Sequence, residues 1–132
     1  MRQGRPGRYG TLALAGAMLA ACAGFQPGGP TVGEEEPSDM AIACRTDEAL
    51  AAADRMGAQG GLAEQLAVYE KIVILTDAGR GEEAAALAPA YLATSADRSP
   101  SELDRRVQET VANMREQRQD QSGSARCPAV AS

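Results

Sequence analysis

Three cysteines, Cys22, Cys44 and Cys127, are the side chains best suited to covalent chemistry in this chain of 132 residues, which contains no histidine. A thiol can carry a lipid, join a second thiol or bind a metal ion. Cys22 follows a start rich in arginine, a short apolar run over 11–18 and small residues. This three-part layout is typical of a secretory signal, and the apolar run is too short to span a bilayer. We therefore predict that residues 1–21 direct export and are removed.

The string LAAC at 19–22 resembles the lipobox of bacterial lipoproteins. The resemblance covers only the first 22 residues. It implies that Cys22 receives a diacylglyceryl thioether, becomes the first mature residue and is then acylated on its amine, with fatty acids such as palmitate. Two or more acyl chains hold a protein firmly on a membrane. In proteobacterial lipoproteins an aspartate after the cysteine favours the inner membrane. Ala23 stands there, so the resemblance implies anchorage at the periplasmic face of the outer membrane. A cleaved signal with a chance cysteine is the alternative.

The net charge of the chain argues against some classes of binding partner. Cleavage before Cys22 leaves 111 of the 132 residues, enough for one small domain. The full chain has 13 basic and 18 acidic side chains, and loss of three arginines with the signal leaves 10 against 18, a net charge of −8. Such a surface repels phosphate groups, so we expect no nucleic-acid partner. Membrane contact is expected through the lipid anchor alone.

The two other cysteines form an even pair. With Cys22 lipidated in an oxidising compartment, we predict a disulfide between Cys44 and Cys127. By the loop-entropy model such a bond contributes roughly 4 to 5 kcal/mol. Two free thiols or a metal site are the alternatives, but a zinc site normally takes four ligands from Cys, His and carboxylates. We predict no metal ligands and no cofactor.

The elements that hold these cysteines are predicted to be helices, because alanine is abundant, aromatic residues are scarce and β-branched residues cluster in one place. Residues 22–37 mix Gly, Pro and Glu and should form a flexible tether behind the lipid. We predict an all-α domain over 38–120, a small bundle of about four short helices closed by one disulfide. An irregular tail over 121–132 follows, and Cys127 ties it back.

The first predicted helix ends at Met56, before a run of glycines. Its start is open. Thr46 is suited to cap a short helix, whereas a cap at Ser38 would give a longer helix that includes Cys44.

A second helix is predicted from 62 to about 78, in a central position with neighbours on several sides. Residues 72–76 form the alternative, a buried strand, although no second strand-like run is present to pair with it. The apolar residues that define the helix recur at spacings of four, three and four and should face the core: Leu62, Leu66, Tyr69 and Val73.

The third helix opens at Glu82, and Pro89 either kinks it or divides it in two. The fourth has a clear start, with Ser99 as cap, Pro100 at the first position and Glu102 completing a capping box. Its predicted apolar stripe is Leu103, Val107, Val111 and Met114. Its predicted solvent-facing side is Arg105, Arg106, Glu109, Arg115, Glu116 and Arg118.

The helix pair over 62–94 has the length of a tetratricopeptide hairpin. However, the sequence shows no second copy at that period, and the spaced Trp, Gly and Tyr signature is missing. We interpret the pair as a generic helical hairpin.

Residues for catalysis are scarce. Without histidine no triad with an imidazole base can form, and the single lysine, Lys71, has a valine three residues before it where a serine–lysine pair needs serine. Glu64 and Glu70 are carboxylates suited in principle to acid–base work on a sugar. Tyr69 and Tyr91 are expected in the core and leave few aromatics for a sugar cleft. We therefore expect a protein that is not an enzyme.

Binding is the remaining class of function. In size, anchor and expected helical content the chain resembles the all-helical secretin pilotins, which escort a secretin subunit to the outer membrane; the resemblance is one of architecture. It implies an accessory that offers a groove to a helix of an envelope protein. Ile74 and Val107 are candidates for that groove, although both fit the core. A structural or stress-related lipoprotein without a partner, and a carrier of small apolar ligands, are the alternatives, and the oligomeric state stays open.

Overall fold

The structure, a computed structural model, describes residues 33–94 and 99–129, which form five helices and no strand. The helices are α1 (Pro37–Ile42), α2 (Thr46–Gly57), α3 (Leu62–Asp77), α4 (Gly81–Ala93) and α5 (Pro100–Ser122). The predicted all-α class is therefore confirmed, and the strand alternative over 72–76 is wrong, because these residues lie inside α3. The predictions that concern residues 1–32, including the lipobox and most of the tether, lie outside the described residues.

The chain has five helices instead of about four because it turns sharply before α2. Pro37, whose φ is already helical, begins α1, and Cys44 ends it in the left-handed conformation with φ 63°. The amide of Arg45 donates to the Met40 carbonyl at 2.9 Å, and that of Cys44 to the Ala41 carbonyl at 3.0 Å. The caps predicted at Ser38 and Thr46 are wrong. Glu36 and Arg45 occupy the N-cap positions, and neither accepts a side-chain capping bond.

α3 is the central helix, as predicted, since it packs against all four of the others. Its buried apolar residues lie on several sides of the helix: Ala67, Ile72, Val73, Ile74 and Leu75. Leu62 and Leu66 were expected in the core, but 72% and 49% of their surface is exposed. The first hydrogen bonds between α3 and α5 are made by Tyr69, about one turn after Leu66. The start of α3 therefore extends beyond the part that α5 covers.

Two polar contacts fix the relative direction of the helices. The Tyr69 hydroxyl lies 2.8 Å from Thr110 Oγ1, and two turns further along α3 the Asp77 carboxylate lies 2.6 Å from Arg118 Nη2. Both helices advance in the same sense between these contacts, so α3 and α5 are parallel. A short turn over 78–80 reverses the chain between α3 and α4. Thus α4 and α5 run antiparallel on the same central helix.

α4 is one helix, which resolves the alternatives left open at Pro89. This proline is exposed, and it has no amide hydrogen to donate to the carbonyl of Ala85. α5 begins as predicted, because Ser99 Oγ accepts the amide hydrogen of Glu102 at 3.2 Å. Its apolar stripe from Leu103 to Met114 is buried.

The turn before α2 recurs, 35 residues later, before α4. Gly79, with φ 76°, takes the place of Cys44, and the amide of Arg80 donates to the Leu75 carbonyl at 2.8 Å. In each turn the arginine that follows pairs with a glutamate three residues on, Arg45 with Glu48 and Arg80 with Glu83. The two helical hairpins therefore share a turn geometry, and both turns carry in the sequence an arginine followed three residues later by a glutamate.

Candidate functional site

The disulfide predicted between Cys44 and Cys127 is present, with the two Cα atoms 5.4 Å apart and the residues separated by 83 positions. It joins the turn between α1 and α2 to the segment that follows α5. α5 itself continues to Ser122, two residues beyond the predicted end of the helical domain, and Gly123 ends it with φ 75°. The disulfide therefore closes the two ends of the described domain onto each other.

Arg118 lies beside this disulfide and contradicts the prediction that it faces solvent, because only 2% of its surface is exposed. The guanidinium donates to the carbonyls of Ala41 and Ile42, both at 3.0 Å, and to that of Ala125 at 2.8 Å. Residue 118 follows Met114 by four positions and so continues the buried stripe of α5. The spacing of four residues from Met114 is therefore the feature of the sequence that indicates a buried position for Arg118.

Asp77 supplies the negative charge that Arg118 needs. Its side chain is 7% exposed and accepts from Arg118 Nη2 at 2.6 Å and from Arg115 Nε at 2.9 Å. The last carbonyls of α1 have no partner within their own helix, and Arg118 satisfies two of them. Among the described residues no buried side-chain nitrogen or oxygen lacks a hydrogen bond. This arrangement fits a structural role, since its polar groups bind one another.

The two carboxylates considered for acid–base chemistry do not share a face. Glu64 and Glu70 are six residues apart on α3, which turns them to different sides of the helix. Glu64 is exposed, whereas Glu70 is half-buried. Burial raises the pKa of Glu70 above its ordinary value, and the nearby charge of Glu36 raises it further. The pair therefore has no common substrate position.

The two tyrosines hold helices together. Tyr91 on α4 is buried, and its ring centroid lies 5.6 Å from that of the half-buried Tyr69 on α3, with the ring planes inclined at 37°. The Tyr69 hydroxyl reaches Thr110 on α5. The aromatic side chains of the described domain thus belong to the packing of α3, α4 and α5 and do not line an open cleft.

An apolar groove lies between α4 and α5. α4 and α5 both pack on α3 but make little contact with each other, and the space between them forms an apolar groove of about 340 Å³, here named the α4–α5 groove. Ile72 and Thr76 of α3 form its floor. The α4 wall is Gly81, Ala84, Ala85, Ala88 and Leu92, and the α5 wall is Pro100, Leu103, Asp104, Val107 and Gln108.

Of the two residues considered for a groove, Val107 lines the α4–α5 groove, whereas Ile74 is 1% exposed and lies in the core. The small residues of α4 were not predicted to form a wall. Their positions at 81, 84, 85 and 88 lie on one side of a helix, which is the pattern that identifies them.

Neither a metal centre nor a membrane span is found in the described part. Residues 33–94 and 99–129 contain no group of three or more cysteine and carboxylate side chains placed to hold a metal ion. Within the same ranges, no helix combines the length and the apolarity that crossing a membrane requires. Comparison with known proteins gives no match to a protein-family model, a curated protein or a solved structure.

Proposed function

We propose that this protein is a small, non-enzymatic lipoprotein of the bacterial cell envelope that binds a partner protein, as an assembly accessory, at the periplasmic face of the outer membrane. The observation that carries the proposal is the α4–α5 groove. It is apolar, open and bounded by two antiparallel helices, which is the kind of surface that accepts the apolar face of a third helix.

The dimensions of the groove suit a helix. Its α4 wall runs from Gly81 to Leu92, about 16 Å at 1.5 Å per residue, or three helical turns. Because alanine and glycine residues form most of this wall, it leaves room for the side chains of an incoming helix. Leu103 and Val107 on the opposite wall are aliphatic but almost fully buried, so the apolar surface open to an occupant comes mainly from Ala85, Ala88 and Leu92 of α4. A partner helix with aliphatic residues on one face would bury them here.

Lipidation at Cys22 is the second part of the proposal. The string at 19–22 supports it, and the acyl chains would hold the domain at the membrane while the residues before Pro37 act as a tether. Export also agrees with the disulfide, because such bonds persist in oxidising compartments outside the cytoplasm. In size, proposed anchor and helical content the chain loosely resembles the secretin pilotins, and the proposed role follows that resemblance.

A carrier of small apolar ligands is the second candidate, and the volume of the groove favours it, since small-molecule sites commonly enclose about 300 to 1,000 Å³. A ligand that binds the folded state raises the melting temperature. Thermal melts with and without uncharged apolar compounds therefore distinguish the candidates: a carrier gains stability, whereas a partner-binding protein does not.

Site-specific photocrosslinking in living cells tests the partner-binding proposal. A photoreactive amino acid replaces Ala88, which lines the groove, in the full-length chain; the matched control replaces Ala86, an exposed residue of α4 outside the groove. We expect position 88 to crosslink to a defined protein that position 86 does not capture. Equal crosslinking from both positions, or none from position 88, would contradict a partner groove and favour a lipoprotein without a dedicated partner.

A further inference from the structure

Among the described residues, Asp104 is the one ionisable side chain that lines the α4–α5 groove. Every other lining residue is apolar or carries an uncharged polar group. The Asp104 side chain is exposed, and it makes no ion pair within the described ranges. On the same helix Glu102 and Glu109 are both held by Arg105, at 2.7 and 2.6 Å. Asp104 therefore places beside an apolar surface a negative charge that no described residue pairs.

Neighbouring groups keep this charge at the rim of the groove. Leu103, the preceding residue, and Val107, three positions on, are both buried and turn apolar surface toward the interior. Gln108 follows Asp104 by four residues, on the same side of α5, and adds an uncharged amide. An occupant would thus meet aliphatic surface at the centre of the groove and a carboxylate with an amide along one edge.

This arrangement discriminates between occupants by charge. A fatty acid, or a lipid with a phosphate headgroup, would bring a negative charge toward Asp104 in a protein whose net charge is already −5. Like charges in proximity disfavour such a complex. A helix that carries lysine or arginine at the border of its apolar stripe would instead bring a positive charge to the carboxylate. Complementary charge of this kind also sets the orientation of the bound helix.

We propose that Asp104 makes the α4–α5 groove selective for a partner helix with a basic residue at the edge of its apolar face. This inference rests on the proposed partner-binding function and adds the chemistry of the partner. The groove binds the aliphatic side chains of the partner helix, and the Asp104 carboxylate pairs with the basic residue beside them.

Charge variants in the photocrosslinking experiment test this selectivity. The photoreactive residue stays at position 88 of the full-length protein, and Asp104→Lys and Asp104→Asn are compared with Asp120→Lys, an exposed aspartate of α5 outside the groove. We expect Asp104→Lys to lower the crosslinking yield by roughly fivefold or more, with Asp104→Asn intermediate, because an exposed ion pair contributes up to about 1 kcal/mol. Asp120→Lys should leave the yield unchanged. Thermal melts of all three proteins establish that they are folded.

Identification of the crosslinked partner peptide by mass spectrometry tests directly whether the partner carries a basic residue. We expect a lysine or arginine within one helical turn of the crosslinked residue, and its replacement by glutamate should restore the yield with Asp104→Lys. If Asp104→Lys and Asp120→Lys crosslink equally well, or if the captured segment has no basic residue, the charge selectivity is overturned while the partner groove stands. Crosslinks to lipid alone, or none from position 88, overturn both.

Discussion

The guanidinium of Arg118 lies 2.6 Å from the carboxylate of Asp77, with 2% and 7% of the two side chains exposed. This ion pair joins the end of α3 to the last turns of α5. Through the carbonyls of Ala41 and Ile42 it also reaches α1, 77 and 76 residues earlier in the chain. One side chain therefore connects three helices at the end of the domain that the disulfide closes.

Replacement of Arg118 by methionine should destabilise the domain by about 3 to 5 kcal/mol. The substitution leaves the Asp77 carboxylate buried without this partner, removes the guanidinium donor of the Ile42 carbonyl and leaves the Ala41 carbonyl with the Cys44 amide as its donor. Equilibrium unfolding in urea measures the loss. The matched control is Arg106→Met, at an exposed arginine of the same helix, which should stay within about 0.5 kcal/mol of the wild type. Similar effects of both substitutions would show that the buried pair has no special role.

Removal of the disulfide should cost about 4.5 kcal/mol, because the bond closes a loop of 83 residues and restricts the unfolded chain. The double variant Cys44→Ala/Cys127→Ala tests this by urea unfolding against the oxidised wild type. Reduced wild type provides the control, since it lacks the bond without any substitution. A loss below about 1 kcal/mol in both proteins would contradict the stabilising role of the disulfide.

Cys44 adopts a backbone conformation that suits glycine better than any residue with a Cβ atom. In a Cys127→Ala background, we therefore expect Cys44→Gly to be more stable than Cys44→Ala by about 1 kcal/mol. Ala51→Gly in the same background is the control, because residue 51 is exposed inside α2, where glycine should destabilise by roughly 0.5 to 1 kcal/mol. If the glycine variant is the less stable protein at position 44 as well as at position 51, the left-handed conformation of residue 44 is contradicted.

Glu70 should make stability depend on pH. Because burial raises its pKa in the folded state, the ionised form is disfavoured, and the folded protein gains stability as the pH falls through that raised pKa. Glu70→Gln removes the cost of ionisation, so its melting temperature should exceed that of the wild type at pH 7 and approach it near pH 4. Glu64→Gln, on the exposed side of α3, should change little at either pH. A lower melting temperature for Glu70→Gln at pH 7 would mean that the carboxylate stabilises the fold.

Much of the helical architecture is predictable from local chemistry. The start of α5 follows from Ser99 and Pro100, whose side chain and fixed φ act within one turn and need no distant contact. The disulfide followed from an even number of cysteines once Cys22 was assigned to lipid. Both predictions depend on few residues and on rules that hold in any tertiary context.

The wrong predictions concern residues whose burial depends on how the helices pack against one another. Arg118 was assigned to solvent by residue type, although its position on the stripe of α5 placed it in the core, where Asp77 and three carbonyls compensate its burial. Leu62 and Leu66 follow the helical period but extend beyond the region where α5 packs. The sequence alone does not state how far a neighbouring helix reaches.

The groove could be predicted only in part for the same reason. It exists because α4 and α5 pack on α3 without closing on each other, and this follows from the relative positions of three helices. Asp104 reads in the sequence as one more exposed acid of an acidic chain. Its place beside the apolar wall is visible only after α4 and α5 are set on α3.

Intact-mass measurement of the protein extracted from the bacterial envelope tests the central claim, that a disulfide-closed helical domain is tethered to the membrane by lipid. We predict a chain that begins at Cys22, carries the mass of a diacylglyceryl group and an N-linked acyl chain, and gains the mass of two hydrogens on reduction. An unlipidated mature chain, or one whose mass does not change on reduction, would contradict the account.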